Sequence, residues 1–577
     1  MYKSFKNLSA ASLCCVLLIA ACSGSESLEE DIPEPTLRYP ELPFQIAPPQ
    51  LEDGTDFTDW RPKECPLGYM AEFGRDNCIS IGDPCPSGLW PDTKAYAQPL
   101  YVKPGGSGDG LTAATPHGSI QEAIEQSTNE STIVLSKGTF NESITIFKAV
   151  SIVGSCAKDT IIQSPTGDSQ MTPIVTVSSR DDISIKNLTL TGSGPGIHAN
   201  DSSGLLHLDG ILITQALFYA MELSNAHVKL SNSIIQDTAH TVGYADGAIR
   251  ADSGTQLELY NVGIFNNVIH GVHIQDEGSN LIARKLTVQG TKVMSGTNGI
   301  GLFIIHGANA TLNQIMLNEN THTGILTSNT DTTIEDMVIV NTLALPDMSH
   351  GRGFEANAGA NIVMKRAYIG FNHENGIGLY DTNTRLEAYD VVVTNTQERK
   401  SDNTRGRGIH LSHGAHGYFY RTLIDSNRQV GVYLIHYENP NISRTVTFHA
   451  DQIVIRKTKT AKCAEPGVTP SCEYGFGDAL VALGKTDVRL RNFEVYENQR
   501  VGLWFYDPTG TFYEHSNVMG LPQAVLTQGS VKDNEYGINI RGESVTADDF
   551  TGVACYQNEK TVDGCYTDVD LIVPDPL

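Results

Sequence analysis

The chain has 577 residues, with 40 Lys and Arg against 66 Asp and Glu, for a formal net charge of −26. That balance excludes nonspecific nucleic-acid binding, which needs basic surface to displace phosphate counterions. It also opposes adsorption to bare acidic polysaccharide unless a cation such as calcium bridges the two.

Residues 1–22 read as a processing segment. Lys3 and Lys6 precede an apolar run from Ala10 to Ala21, too short to span a bilayer. The ending Ile19-Ala20-Ala21-Cys22 resembles a bacterial lipoprotein signal, with Cys22 as the lipidated residue. Ser23 at the next position resembles the outer-membrane destination of Gram-negative bacteria. The expectation is an exported, lipid-anchored protein whose membrane contact is the anchor; plain secretion is the alternative. Residues 23–60 are acidic and proline-rich, an expected tether. Residues 61–98 form a small segment with Cys65, Cys78 and Cys85, expected as a cap or linker. Their spacing lacks the paired Cys-x-x-Cys of a structural zinc site.

Of the 11 cysteines, three lie in the leader and eight remain, an even number consistent with disulfides outside the cytoplasm. Cys463–Cys472 would staple the longest insertion and Cys555–Cys565 the C-terminal end. Cys65, Cys78 or Cys85 would reach Cys156.

Tyr101-Val102 opens a run of short strands. Ser119, with Glu122 three residues on, predicts a capping box for a helix over 120–127, whose Ile120, Ala123 and Ile124 share one face. Such a helix covers the open end of a stack of strands. From about Gly247 to Ile540, Gly-Ile or Gly-Val starts recur before alternating segments. Gly247, Gly271, Gly301, Gly324, Gly353, Gly378, Gly408, Gly431, Gly477 and Gly502 are spaced by 24, 30, 23, 29, 25, 30, 23, 46 and 25 residues. The side-chain period is 2, so the segments are strands. At three to six residues they are too short for hairpin meanders, and they gain a core by stacking as parallel coils. Asn267, Asn320, Asn341, Asn372, Asn395, Asn427 and Asn498 recur before the turns and are read as structural ladders.

The longer intervals place insertions at 237–247, 291–300, 343–353, 397–408 and 456–477, all before the same Gly position and so on one edge. They carry Tyr244, His350, Arg352, Arg405 and Arg407, with Arg399, Lys400 and several lysines beside them. This local basic concentration is the candidate ligand-facing surface. The aromatic group Trp504, Phe505, Tyr506, Phe512 and Tyr513 suits core or cap packing better than sugar stacking.

The segments Ser119-Ile120-Gln121-Glu122-Ala123-Ile124, Gly138-Thr139-Phe140-Asn141-Glu142 and Val150-Ser151-Ile152-Val153-Gly154, together with the Gly-Ile and Asn repeats, resemble right-handed parallel β-helix proteins of the pectin-lyase-like superfamily. The resemblance covers about 101–545. It implies an all-β, single-stranded right-handed solenoid over 99–550 with an N-terminal capping helix, followed by a disulfide-containing C-terminal cap at 551–577. It does not imply one activity, because the superfamily spans lyases, hydrolases, esterases and adhesins.

Gln236-Asp237-Thr238 resembles the Gln-Asp-Thr of pectin methylesterases. The stretch one rung later, Leu257 to Ile264, lacks the nucleophilic Asp that the reaction requires. A lyase needs a basic residue beside acidic calcium ligands, for which Asp381 with Arg407 or Arg421 is the candidate. His410, His413 and His416 are close in sequence, but no His-Glu-x-x-His occurs and no metal set is assigned. The expected function is non-catalytic binding of glycan or protein by a monomeric surface lipoprotein through the loop-bearing edge. The alternative is a polysaccharide lyase or glycoside hydrolase, with calcium as the candidate ion.

Overall fold

The structure, a computed structural model, describes residues 42–165, 171–238, 247–294, 298–436, 444–460, 476–506, 521–542, 544–560 and 565–568. Cys22, Tyr244, Cys463, Cys472, Phe512 and Tyr513 lie outside these residues.

Parallel strands stack from Leu100–Val102 onward. One face is a sixteen-stranded sheet of short strands running from Ile144–Ile146 to Tyr566–Thr567. The strands between Ile183 and Lys532 that alternate with them are nine to eleven residues long. Each long strand is bent near its middle by one residue of positive φ. Asn261 (φ 55°), Gln314 (57°), Asp336 (59°), Arg366 (51°), Asp390 (57°) and Arg421 (51°) are examples. The bend shifts the alternation by one. In Gln256–Phe265 the inward residues are Leu257 and Leu259 before Asn261, then Val262 and Ile264 after it, all buried. Each coil therefore has three faces around one apolar core, and each buried aliphatic side chain contributes roughly 1.5–3 kcal/mol.

The register corrects three repeat markers. Ala248, Gly376 and Ala479, rather than Gly247, Gly378 and Gly477, align with Gly271, Gly353, Gly408, Gly431 and Gly502. With these positions, every short interval (248 to 271, 301 to 324, 353 to 376, 408 to 431 and 479 to 502) is 23 residues. A Cβ at Gly376 would sit 2.7 Å from the carbonyl oxygen of Gly408, and one at Gly353 2.6 Å from that of Gly376. Close passage of neighbouring rungs keeps this line of positions small.

A buried polar ladder follows the long strands, and it alternates. Thr238, Thr291, Thr342 and Thr396 each donate their backbone N–H to the Oδ1 of Asn267, Asn320, Asn372 and Asn427 one rung on, at 2.9–3.1 Å. The Asn amides donate in turn to Ile235, Val288, Ile339 and Val393 carbonyls. Asn341 and Asn395 are not members; they hold the positive-φ position just before Thr342 and Thr396. The long insertions follow the Thr rungs and the tight turns follow the Asn rungs.

The Ile120–Gln126 helix covers the N-terminal end, with Ile120, Ala123 and Ile124 fully buried. Ser119 Oγ accepts from Glu122 N–H, and the returning carboxylate is Glu142, which accepts from Ile120 and Gln121 N–H at 2.8 and 3.1 Å. At the other end, Phe550–Tyr556 pairs with Gln523–Lys532, and Tyr566–Thr567 with Tyr536–Arg541. Rungs thus extend beyond the expected limit at 550, with Cys555–Cys565 inside them.

The N-terminal segments differ most from expectation. Residues 47–60 are not a tether but lie along the bent corner of the long strands. Ala47 N–H donates to Asp390 and Gln50 N–H to Asp336, at 3.3 and 2.9 Å, and Glu52 pairs with Arg284 and Lys285. The 61–98 segment buttresses the side of the solenoid rather than capping it. Its Cys65–Cys78 hairpin packs Met70 and Ile81 on Ala157, Leu212 and Ile234, and Cys85 bonds Cys156. The strap is held by backbone hydrogen bonds at the corner: Asp336 and Asp390 accept from its N–H groups, and Gln314 Nε2 donates to Gln50 O at 3.3 Å.

Candidate binding groove

The loop-bearing edge is closed by ion pairs. Arg352 bridges Glu355 and Glu374 on adjacent rungs, at 2.8 and 2.9 Å. Arg405 also pairs with Glu374, and Arg399 lies 4.0 Å from it while binding Asp402. Glu374 is 1% exposed and Arg407 0%. The Arg407 guanidinium lies 3.8 Å from the Tyr433 ring centroid and against His410 and Gln429. Burial and the neighbouring arginines hold the His410 imidazole far below the usual histidine range. His350 lies against His322 with ring centroids 4.5 Å apart and the rings tilted by 44°. Arg352 and Arg405 are thus taken up by the buried Glu374 and Arg407 by the Tyr433 ring, so the three hold loops onto the short-strand sheet instead of facing a ligand.

The other candidates are dispersed. Asp237 is an exposed turn residue. Asp381 is exposed and accepts from Ala358 N–H, just beyond the strand end that aligns with Leu411, whereas Arg407 begins that same neighbouring strand. Arg421 lies on the bent corner, bound to Asp390 through two 2.6 Å hydrogen bonds. Neither arginine is assembled with Asp381. Among the described residues the one group with metal-ligand proximity is Cys85, Cys156 and Asp159, and its sulfurs are joined in a disulfide. Trp504, Phe505 and Tyr506 are buried packing residues.

An open surface lies elsewhere, on the outward side of the first halves of the long strands. Alternation sends every second residue outward, and parallel register stacks them in two lines. Glu387, Tyr418, His449, Arg489 and Val525 form one; Tyr389, Tyr420, Asp451, Arg491 and Thr527 form the other. All of them but Glu387 line a shallow depression of about 380 Å³. Tyr389 and Tyr420 meet edge to face at 6.4 Å, and Tyr418 meets His449 at 5.5 Å. Arg385 and Arg421 lie 4.5 and 4.4 Å from the Tyr418 and Tyr420 rings. Burial, then the neighbouring Glu387, pushes the Tyr389 phenol above its usual range. His449 Nε2 is 3.0 Å from Asp487 Oδ2, and Arg489 binds the same carboxylate. Arg489 and Arg491 are exposed, and Arg491 makes no ion pair among the described residues. Apart from Arg421, none of these residues stands out in the sequence as a site. The available signal was the i, i+2 repetition in Tyr418-Phe419-Tyr420 and Arg489-Leu490-Arg491.

A family model described as "Right handed beta helix region" matches residues 174–336. No curated protein matches the chain. Among solved structures, it is similar to the catalytic domain of a GH87 alpha-1,3-glucanase in complex with tetrasaccharides, at 10% identity and a TM-score of 0.28, covering 82% of this chain and 67% of that one. The same catalytic domain in complex with nigerose gives 12% identity and 0.28, with 71% and 66% covered. The pectate lyase Pel9A gives 10% identity and 0.17, with 82% of each chain covered. With the stacked register, the family match defines the class: this chain folds as a right-handed parallel β-helix.

Proposed function

We propose that the protein is a carbohydrate-directed β-helix that holds a polysaccharide along the Tyr389–Thr527 groove. One observation carries this reading: two stacked lines of outward side chains on an open face place tyrosines on the earlier rungs, His449 and Asp451 on the next, and arginines on the one after. Aromatic faces take the apolar side of a sugar ring and guanidinium groups bind its oxygens. Rungs about 4.8 Å apart also recur on a length scale close to that of a linear glycan. The site therefore lies on a different face from the loop-bearing edge. Export with a lipid anchor at Cys22, in a Gram-negative outer membrane, belongs to the same proposal, as do a monomeric state and calcium bridging to an acidic glycan.

A second reading, cleavage of that polysaccharide as a lyase or glycoside hydrolase, is favoured by the His449–Asp487 pair. A carboxylate orienting an imidazole at the edge of an open groove is the arrangement of a general base.

The test is retention of the purified protein on immobilised neutral and acidic polysaccharides, with and without calcium, together with assays for new reducing ends and unsaturated products. Retention lost in Tyr418→Ala with Tyr420→Ala supports binding. Turnover lost in His449→Gln supports the enzyme. Wild-type protein that neither binds nor cleaves any polysaccharide overturns both readings.

A further inference from the structure

The 343–352 insertion is held down through histidine contacts. His322, on the tight turn before Thr323–Ser328, donates its backbone N–H to Leu343 O at 2.9 Å. Its carbonyl accepts from both Gly351 and Arg352 N–H at 2.9 Å. Its ring lies against His350 of the insertion. The loop's outer turn is tied to the next insertion by Ser401 N–H donating to Met348 O at 2.9 Å. Arg352, at the loop's end, carries the Glu355–Glu374 bridge.

The charges around the two rings are mainly positive. His322 faces His350, Arg352 and His270, with Asp347 opposing them. His350 faces Arg352 and Arg405, with Glu355 and Asp347 opposing them, and its Nδ1 contacts Ser349 Oγ at 2.8 Å. Each ring is half-buried, so a proton on either ring meets desolvation and like charge together. An open loop relieves both.

We infer that the 343–352 insertion is an acid-released latch over the loop-bearing edge of the solenoid. The latch is shut when His322 and His350 are neutral, and it opens when they ionise. Burial, followed by neighbouring cations, lowers His322 to about 3 and His350 to about 4. Opening therefore takes up protons, and the closed form loses stability as pH falls below the ordinary histidine value near 6.5. Serine contacts hold the Asp347 carboxyl below its usual range, so it stays charged through this window. The latch makes the edge that is sealed at neutral pH accessible in acid, independently of the groove.

Hydrogen exchange of the full-length protein, corrected for intrinsic rates, tests this between about pH 7.5 and pH 5. Each imidazole that ionises on opening favours the open loop by about thirtyfold at pH 5, from the 1.5-unit gap to a pKa near 6.5. Peptides covering 343–352 should lose at least tenfold of their protection, while the Arg407–Ser412 strand keeps its own. His322→Phe with His350→Phe keeps the rings and removes the titration, so its loop should stay protected at both values. If that double variant does not fold, His350→Gln alone should remove one of the two factors. Protection that is flat with pH in the wild type overturns the latch, as does equal acid opening in the folded variants.

Discussion

Two faces of the same coils share their register and rung spacing but have opposite fates. On the short-strand face, Arg352 pairs with Glu355 and Glu374 beneath the insertions, and the buried Arg407 guanidinium packs on the Tyr433 ring. On the outward face of the long strands, Tyr418, Tyr420, Arg489 and Arg491 are half-buried or exposed over the same kind of ladder. The difference comes from what lies over each ladder. The described connections 343–352 and 397–407 fold back over the first face. Among the described residues the N-terminal strap meets the corner of the second at Asp336 and Asp390, through Gln50 and Ala47. A solenoid repeats its strands, and what covers them decides which rungs can bind.

The largest expected effect breaks the closed face. Glu374→Ala leaves Arg352, Arg399 and Arg405 without their shared carboxylate and should cost about 3–5 kcal/mol in urea unfolding. A loss below about 1 kcal/mol would mean that the ion network does not seal the edge. Next is the spine that both faces share. Asn372→Ala removes the acceptor for Thr342 N–H and the donor to Ile339 O, and should cost about 2–3 kcal/mol. Polysaccharide retention per folded molecule should not change.

The open face gives a smaller effect of a different kind. Tyr420→Ala and Arg491→Ala should each weaken glycan retention about tenfold, roughly 1.4 kcal/mol, while the melting temperature barely moves. Destabilisation without loss of retention would place the ligand elsewhere. The smallest effect comes from the first rungs of the short-strand face, where His198 and Glu222 form a partly exposed pair at 2.9 Å. The Glu222 hydrogen bond raises the His198 pKa. That stabilisation is complete below the unfolded histidine value and disappears as pH rises through the raised one. It should amount to less than about 1 kcal/mol, visible as a pH-dependent melting difference that His198→Gln removes.

Much of the repeat was legible because it is local. Alternation within Gln256–Phe265 or His416–Asp425 and the small residue opening each short strand follow from strand geometry alone. The Cys555–Cys565 pair, ten residues apart in sequence, was legible for the same reason. Gly378 and Gly477 were misleading because glycine also occurs beside the aligned position, and only pairing to Gly408 and Gly431 distinguishes Gly376 and Ala479. The basic insertions suggested a ligand surface because sequence shows Arg352 and Arg405 but not the Glu374 beneath them.

By itself, the sequence determined a parallel stack of strands, the capped N-terminal end and the edge from which insertions leave. These depend on periodicity, turn chemistry and spacing. The expected three to six residues hold for one sheet, whereas the bent strands of nine to eleven appear only in the structure. The tertiary structure alone decided that Asp336, Arg366, Asp390 and Arg421 take the left-handed corner usually reserved for Asn and Gly. It also decided that residues 47–60 complete that corner, and that one ladder is sealed while the other stays open. Each of these depends on which rungs become neighbours, because an ion pair, a strap contact or a groove exists only between residues that stacking brings together.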